Sequence, residues 1–153
     1  MHTIAALALA AGQAVAPGQP AEAAGTFDVK IVPVPVPAAR GTGDDTRARM
    51  TLTKTFHGPL SGAAEGEMLT AGTPAAGSAG YVALERFTGS LDGRRGSFVM
   101  QHSGTMHEGR QDLAIVISPG SGTGELAGIA GTATIRIDGK QHFYTLRYTL
   151  PSR

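Results

Sequence analysis

The sequence predicts an all-β protein, a single eight-stranded antiparallel barrel preceded by a leader. Apolar residues recur with a period of two, turn dipeptides separate the runs at hairpin spacing, and no window of about twelve residues carries a helical stripe. A chain of 153 residues suits one domain and is long enough to bury a core without disulfides, which the absence of cysteine excludes.

In chain order, residues 1–24 differ in composition from the rest. The apolar run Ile4 to Ala11 falls short of the ~20 residues a membrane helix needs, and Gly12, Pro17, Gly18 and Pro20 then interrupt any helix. Ala21-Glu22-Ala23 has the small-x-small form of a signal-peptidase site. The expectation is a cleaved signal peptide, implying a secreted or periplasmic protein. The alternative is a disordered extension on a cytoplasmic one, because only the terminal amine and His2 stand where Lys or Arg is usual. The barrel domain is expected over residues 25–150.

"GTFDVKIV" places Phe27, Val29 and Ile31 on one face and Asp28 and Lys30 on the other. "VPVPVP", Val32 to Pro37, cannot sit in a central strand because proline lacks the ladder donor; it reads as an edge, a bulge or polyproline chain. "RMTLTKTF" sets Met50, Leu52, Lys54 and Phe56 against threonines. "FYTLRYTL" sets Tyr144, Leu146, Tyr148 and Leu150 against Phe143, Thr145, Arg147 and Thr149. Asp138-Gly139 is the strongest turn signal, expected as type I′, with Asp92-Gly93 and Glu108-Gly109 similar and His57-Gly58-Pro59 a further break. Ala39 to Thr46 and Gly72 to Gly80 read as longer, mobile loops.

"PGSGTGELAGIAG", Pro119 to Gly131, admits two readings. Gly122-x-Gly124-x-x-Ala127 fits a relaxed dinucleotide fingerprint, but that mechanism needs a helix opening at the glycines to hold a pyrophosphate. Here Gly128, Gly131 and the strand-like "TATIRI" follow, and a P-loop lysine is missing because Glu125 follows Gly124. The stretch therefore reads as a β-hairpin.

That stretch and "LERFTGSLDGRRGSFVMQHSGT", Leu84 to Thr105, together resemble a bacterial family, domain of unknown function 3224. "GTFDVK" and "YTLRYTL" look like its first and last strands. The resemblance implies the fold of allene oxide cyclase and dirigent proteins, eight-stranded antiparallel barrels related in shape to lipocalins. Their comparable GTG turn is mainly structural. It implies no catalytic residues.

Composition narrows function. Thirteen Lys and Arg balance twelve Asp and Glu, aromatics make up 5%, and Trp is absent. That leaves neither a basic stripe nor a stacking platform for nucleic acid. His102 and His107 lack a helix and neighbouring carboxylates, so no metal site is expected, and no cofactor. Ser118 and Ser121 have no nucleophile elbow.

Hairpin parity around Asp92-Gly93 brings Glu85 and His102 to one face with Tyr81, Phe87, Phe98 and Met100. A two-residue turn sets Glu85 opposite Met100; a four-residue loop sets it opposite His102. Arg86, Gln101, Val82, Leu84 and Val99 share the other face. Glu85 and His102 form a candidate acid/base pair, or else a structural cross-strand pair worth at most about 1 kcal/mol. Lys54 is expected to snorkel at a rim, with a lumen cation as the alternative.

Three functions follow: a lumen that binds a small apolar or amphipathic molecule through Tyr81, Phe87, Phe98 and Met100; a cofactor-free isomerase or cyclase using Glu85 and His102; or a solid structural barrel. A homo-oligomer, dimer or trimer, fits any of them.

Overall fold

The computed structural model describes residues 18–35, 47–72 and 77–151. Eight strands close into an antiparallel barrel in sequence order: β1 (Ala21–Val34), β2 (Ala48–His57), β3 (Leu60–Gly72), β4 (Ala79–Leu91), β5 (Arg94–His107), β6 (Arg110–Ile117), β7 (Ala130–Asp138) and β8 (Gln141–Thr149). β1 begins at Ala21, ahead of the boundary expected at Gly25, because Ala21 to Ala24 continue the ladder against β8 and Ala23 is buried. Ile4 to Ala11 and Ala39 to Thr46 lie outside the described residues. Among the described residues no helix is long and apolar enough to cross a membrane.

The alternation holds where it was read. Phe27, Leu52, Phe56, Tyr144, Leu146, Tyr148 and Leu150 are all buried, and their threonine and arginine neighbours face outward. β3 gave no such signal, since its inward positions Gly62, Ala64 and Gly66 are too small to show a pattern. Val32-Pro33-Val34 pairs with β2 only, because the β8 ladder stops at Phe27. The proline thus occupies an edge.

Two turns, Asp92-Gly93 and Glu108-Gly109, are type I′ in character, with positive φ at both central residues. The third slips by one residue. Asp138 pairs with Gln141, so the centre is Gly139-Lys140 and only Gly139 has positive φ, as a type II′ turn requires.

The barrel has two unlike ends. At the base, the turns after β2 and β4 and the β6–β7 connection come together. Aromatic rings fill this half: Phe27 and Phe56, Phe56 and Tyr144, and Phe87 and Phe98 lie with centroids 5.4, 5.4 and 5.1 Å apart. Pro119 to Gly131 does not fold as the hairpin expected of it, because no strand forms between Ile117 and Ala130. It folds under the base with a 3₁₀ turn at Gly124–Leu126, and both Leu126 and Ile129 are buried. Its amides are engaged by protein carbonyls, Thr123 N by Ser97 O at 2.9 Å and Leu126 N by Thr123 O at 3.0 Å. The opposite end is the mouth.

Candidate functional site

The β4–β5 register is the two-residue one. Leu91 faces Arg94, Glu85 faces Met100 and Ala83 faces His102, so Glu85 and His102 are diagonal neighbours on the inner face. Val82 and Leu84, on the other parity, are exposed outside.

Lys54 reaches the same place from β2. Between β2 and β4 runs β3, whose inward residues here are Ala64, paired with Lys54 and Phe87, and Gly66, paired with Leu52 and Glu85. Their small size leaves room for the long side chains to meet across them. A Cβ on Gly66 would stand 2.1 Å from the Leu84 carbonyl oxygen.

Lys54 Nζ donates to Glu85 Oε1 at 2.9 Å. It also lies 2.9 Å from Oε2, but outside hydrogen-bond geometry, so Oε2 is buried without a hydrogen bond among the described residues. His102 Nε2 is 3.0 Å from Oε1. The ammonium also sits 5.1 Å from the Phe27 ring centroid, within cation–π range. Lys54 is 8% exposed rather than at a rim, which corrects the expectation. A lysine is tolerated in such a place when a counter-ion is supplied, and Glu85 supplies it.

Burial is the largest influence on the Glu85 carboxyl and by itself raises its pKa. The hydrogen bond from His102 and the charge of Lys54 together outweigh it and hold the group below the usual carboxylate range. An ionised carboxylate only accepts, so His102 donates from Nε2 and turns Nδ1 away from Glu85.

Above this triad the lumen opens into a cup of about 600 Å³. Val29, Leu52, Met68, Tyr81, Leu113 and Ile135 are among its walls, and Lys54, Ala83 and His102 reach it from the floor. Glu85 lies behind them with its side chain wholly buried. Of the four expected ligand contacts, Tyr81 lines the cup. Phe87, Phe98 and Met100 do not: they belong to the packed base half. Sharing a face with Glu85 gave their direction, whereas depth along the barrel axis decides access. Burial and the nearby Glu85 charge raise the Tyr81 pKa, so its hydroxyl stays protonated. Val29 and Leu52 were accessible to parity reasoning. Met68 was not, because β3 carries no alternation. Among the described residues no three His, Asp or Glu gather as a metal site would need.

Fold and site together define a small antiparallel barrel with a packed base and an apolar cup over a buried charge triad. The chain belongs to the DUF3224 family of proteins of unknown function, whose family model matches residues 23–148. It is similar to a solved structure of a DUF3224-family protein of unknown function from Shewanella oneidensis MR-1. The two are 44% identical with a TM-score of 0.82, and the match covers 88% of this chain and 100% of that one. Comparison with curated proteins found no match.

Proposed function

We propose that the protein binds a small amphipathic molecule in the cup, its apolar body against the walls and its polar end toward Lys54 and His102. The observation that carries this is the half-empty lumen, about 600 Å³ above a charged floor. An eight-stranded barrel is able to fill its interior with side chains. Here the base does so and the mouth half does not. The volume falls within the ~300–1,000 Å³ of small-molecule sites, which are mostly apolar with a few placed polar groups.

The test is titration of the full chain with the neutral fluorophore N-phenyl-1-naphthylamine. The expected result is saturable binding at one site per chain, weakened by Ala83→Phe, which sets a ring on the floor of the cup, and retained by the outward Ser103→Phe. Absence of saturable binding, or equal binding by Ala83→Phe, would favour the structural barrel.

A second reading, a cofactor-free isomerase, is favoured by the 3.0 Å Glu85–His102 contact. A carboxylate behind an imidazole orients it and strengthens it as a base. Alanine at both positions separates the two: an enzyme loses turnover, and a binder keeps most of its affinity for a neutral ligand.

A further inference from the structure

Resting on the binding reading above, we propose that the cup takes its ligand as a carboxylate together with one proton, and that the proton goes to His102. The argument begins with the charges on the floor. Lys54 and Glu85 cancel, so with a neutral imidazole the floor carries no net charge. The two groups that reach the cup are unlike. Lys54 has three N–H donors, and among the described residues one hydrogen bond, to Glu85, engages them. It therefore seeks an acceptor. A ligand cation meets the ammonium first, with the compensating carboxylate hidden behind it, and is repelled.

A carboxylate meets a different obstacle. Its first oxygen suits Lys54, but its second confronts the bare lone pair of His102 Nδ1, with the buried Glu85 charge behind both groups. Two acceptors held in contact in a mostly apolar cavity repel each other. One proton on Nδ1 removes the conflict. It turns the acceptor into a donor, makes the floor net positive, and lets both carboxylate oxygens be bound. Glu85 is already placed to stabilise the imidazolium through Nε2. Of the titratable groups around His102, β4 supplies Glu85 and Tyr81, and Tyr81 stays neutral; β2 supplies Lys54. β6 offers Ile115 opposite His102, and β8 offers His142, which lies against Phe27 at 5.1 Å.

The proposal is tested by isothermal titration of the full chain with 2-naphthoate and with 2-naphthalenemethanol, at pH 6 and pH 8, in buffers of different ionisation enthalpy. Imidazoles ordinarily change charge between about pH 5 and 8. A fully coupled proton weakens binding about tenfold for each pH unit above the free imidazole's pKa. The expected result is uptake of close to one proton with naphthoate at pH 8, at least about tenfold weaker binding there than at pH 6, and no such change for the alcohol. His102→Gln flattens the naphthoate pH profile, and the outward Ser103→Phe leaves it as in the wild type. Naphthoate binding without proton uptake, or with the same pH profile in His102→Gln, overturns the proposal and leaves the cup reading standing. So does binding of the neutral fluorophore or the alcohol with none of naphthoate. If neither naphthalene compound nor the neutral fluorophore binds, both readings fall.

Discussion

Glu85 is ionised inside a protein core because two donors converge on one of its oxygens, Lys54 at 2.9 Å and His102 at 3.0 Å. Removing one partner of such a buried pair leaves the other charge uncompensated, at a cost of about 3–5 kcal/mol. Lys54→Met is expected to lose stability on that scale in denaturant unfolding, and Lys54→Met with Glu85→Met to regain much of it, since a well-packed apolar pair replaces an ion pair at little cost. The Glu85 pKa is lowered from 4.5 on folding. Its contribution is therefore present above the ordinary carboxylate value and is lost as pH falls through the lower folded one. Glu85→Gln should flatten that part of the acid-unfolding curve.

Tyr148 is the opposite case. Burial first, then its hydrogen bond to Asp92 and the Asp92 charge, raise its pKa well above 10.0, against a smaller lowering by Arg94. This stability is fully present below pH 10 and is lost as pH rises beyond it. Tyr148→Phe should cost about 1–3 kcal/mol at neutral pH. It should also make thermal stability less sensitive to alkali.

At the scale of elements, the β6–β7 connection is what closes the base. Hydrogen bonds tie it to β5 where β6 no longer runs alongside: Ser97 N donates to Thr123 Oγ1 at 3.1 Å, Val99 N to Ser121 Oγ at 3.0 Å and Arg95 N to a Glu125 carboxylate oxygen at 2.9 Å. Gly122 is required by close approach, since a Cβ there would lie 2.1 Å from the Leu126 carbonyl oxygen. The glycines that looked like a phosphate cradle thus serve to fold a plug. Leu126, fully buried beneath the base, is its anchor. Leu126→Ala is expected to destabilise by about 2–5 kcal/mol in chemical denaturation. Because the cup is at the other end, the same variant should keep the fluorophore affinity of the wild type.

Over the whole molecule, the ladder is uneven. β3 and β4 pair continuously from Leu60 with Leu91 to Gly72 with Ala79, whereas β6 and β7 share only Ile115 with Ala133 and Val116 with Thr132. Toward the mouth, Arg110 to Ala114 and Thr134 to Asp138 therefore lack each other as partners. Local opening is cheapest where backbone pairing is sparsest. Residue-resolved hydrogen exchange should find the weakest protection at this seam and the strongest along β3–β4. The seam borders the cup through Leu113 and Ile135, so a bound ligand should slow exchange there more than at the base.

The strands with branched and aromatic residues were legible because alternation is a local property: Phe27, Leu52, Phe56 and Tyr144 turn inward by parity alone. The shared face of Glu85 and His102 was legible for the same reason, since both plausible turns preserve parity. The sequence by itself thus determined an all-β chain, its inward faces and two of the three members of the triad. Three things were decided only by the tertiary structure. The register of β2, β3 and β4 brought Lys54 to Glu85, across a middle strand whose Ala64 and Gly66 carry no visible pattern. Depth along the axis separated Tyr81 in the cup from Phe87 and Phe98 in the base. The ladder against β8 drew Ala21 to Ala24 into the first strand. Each depends on which strands become neighbours and how far they are staggered. Those distances span many residues of chain, and the period of two, which repeats identically along every strand, contains no record of them.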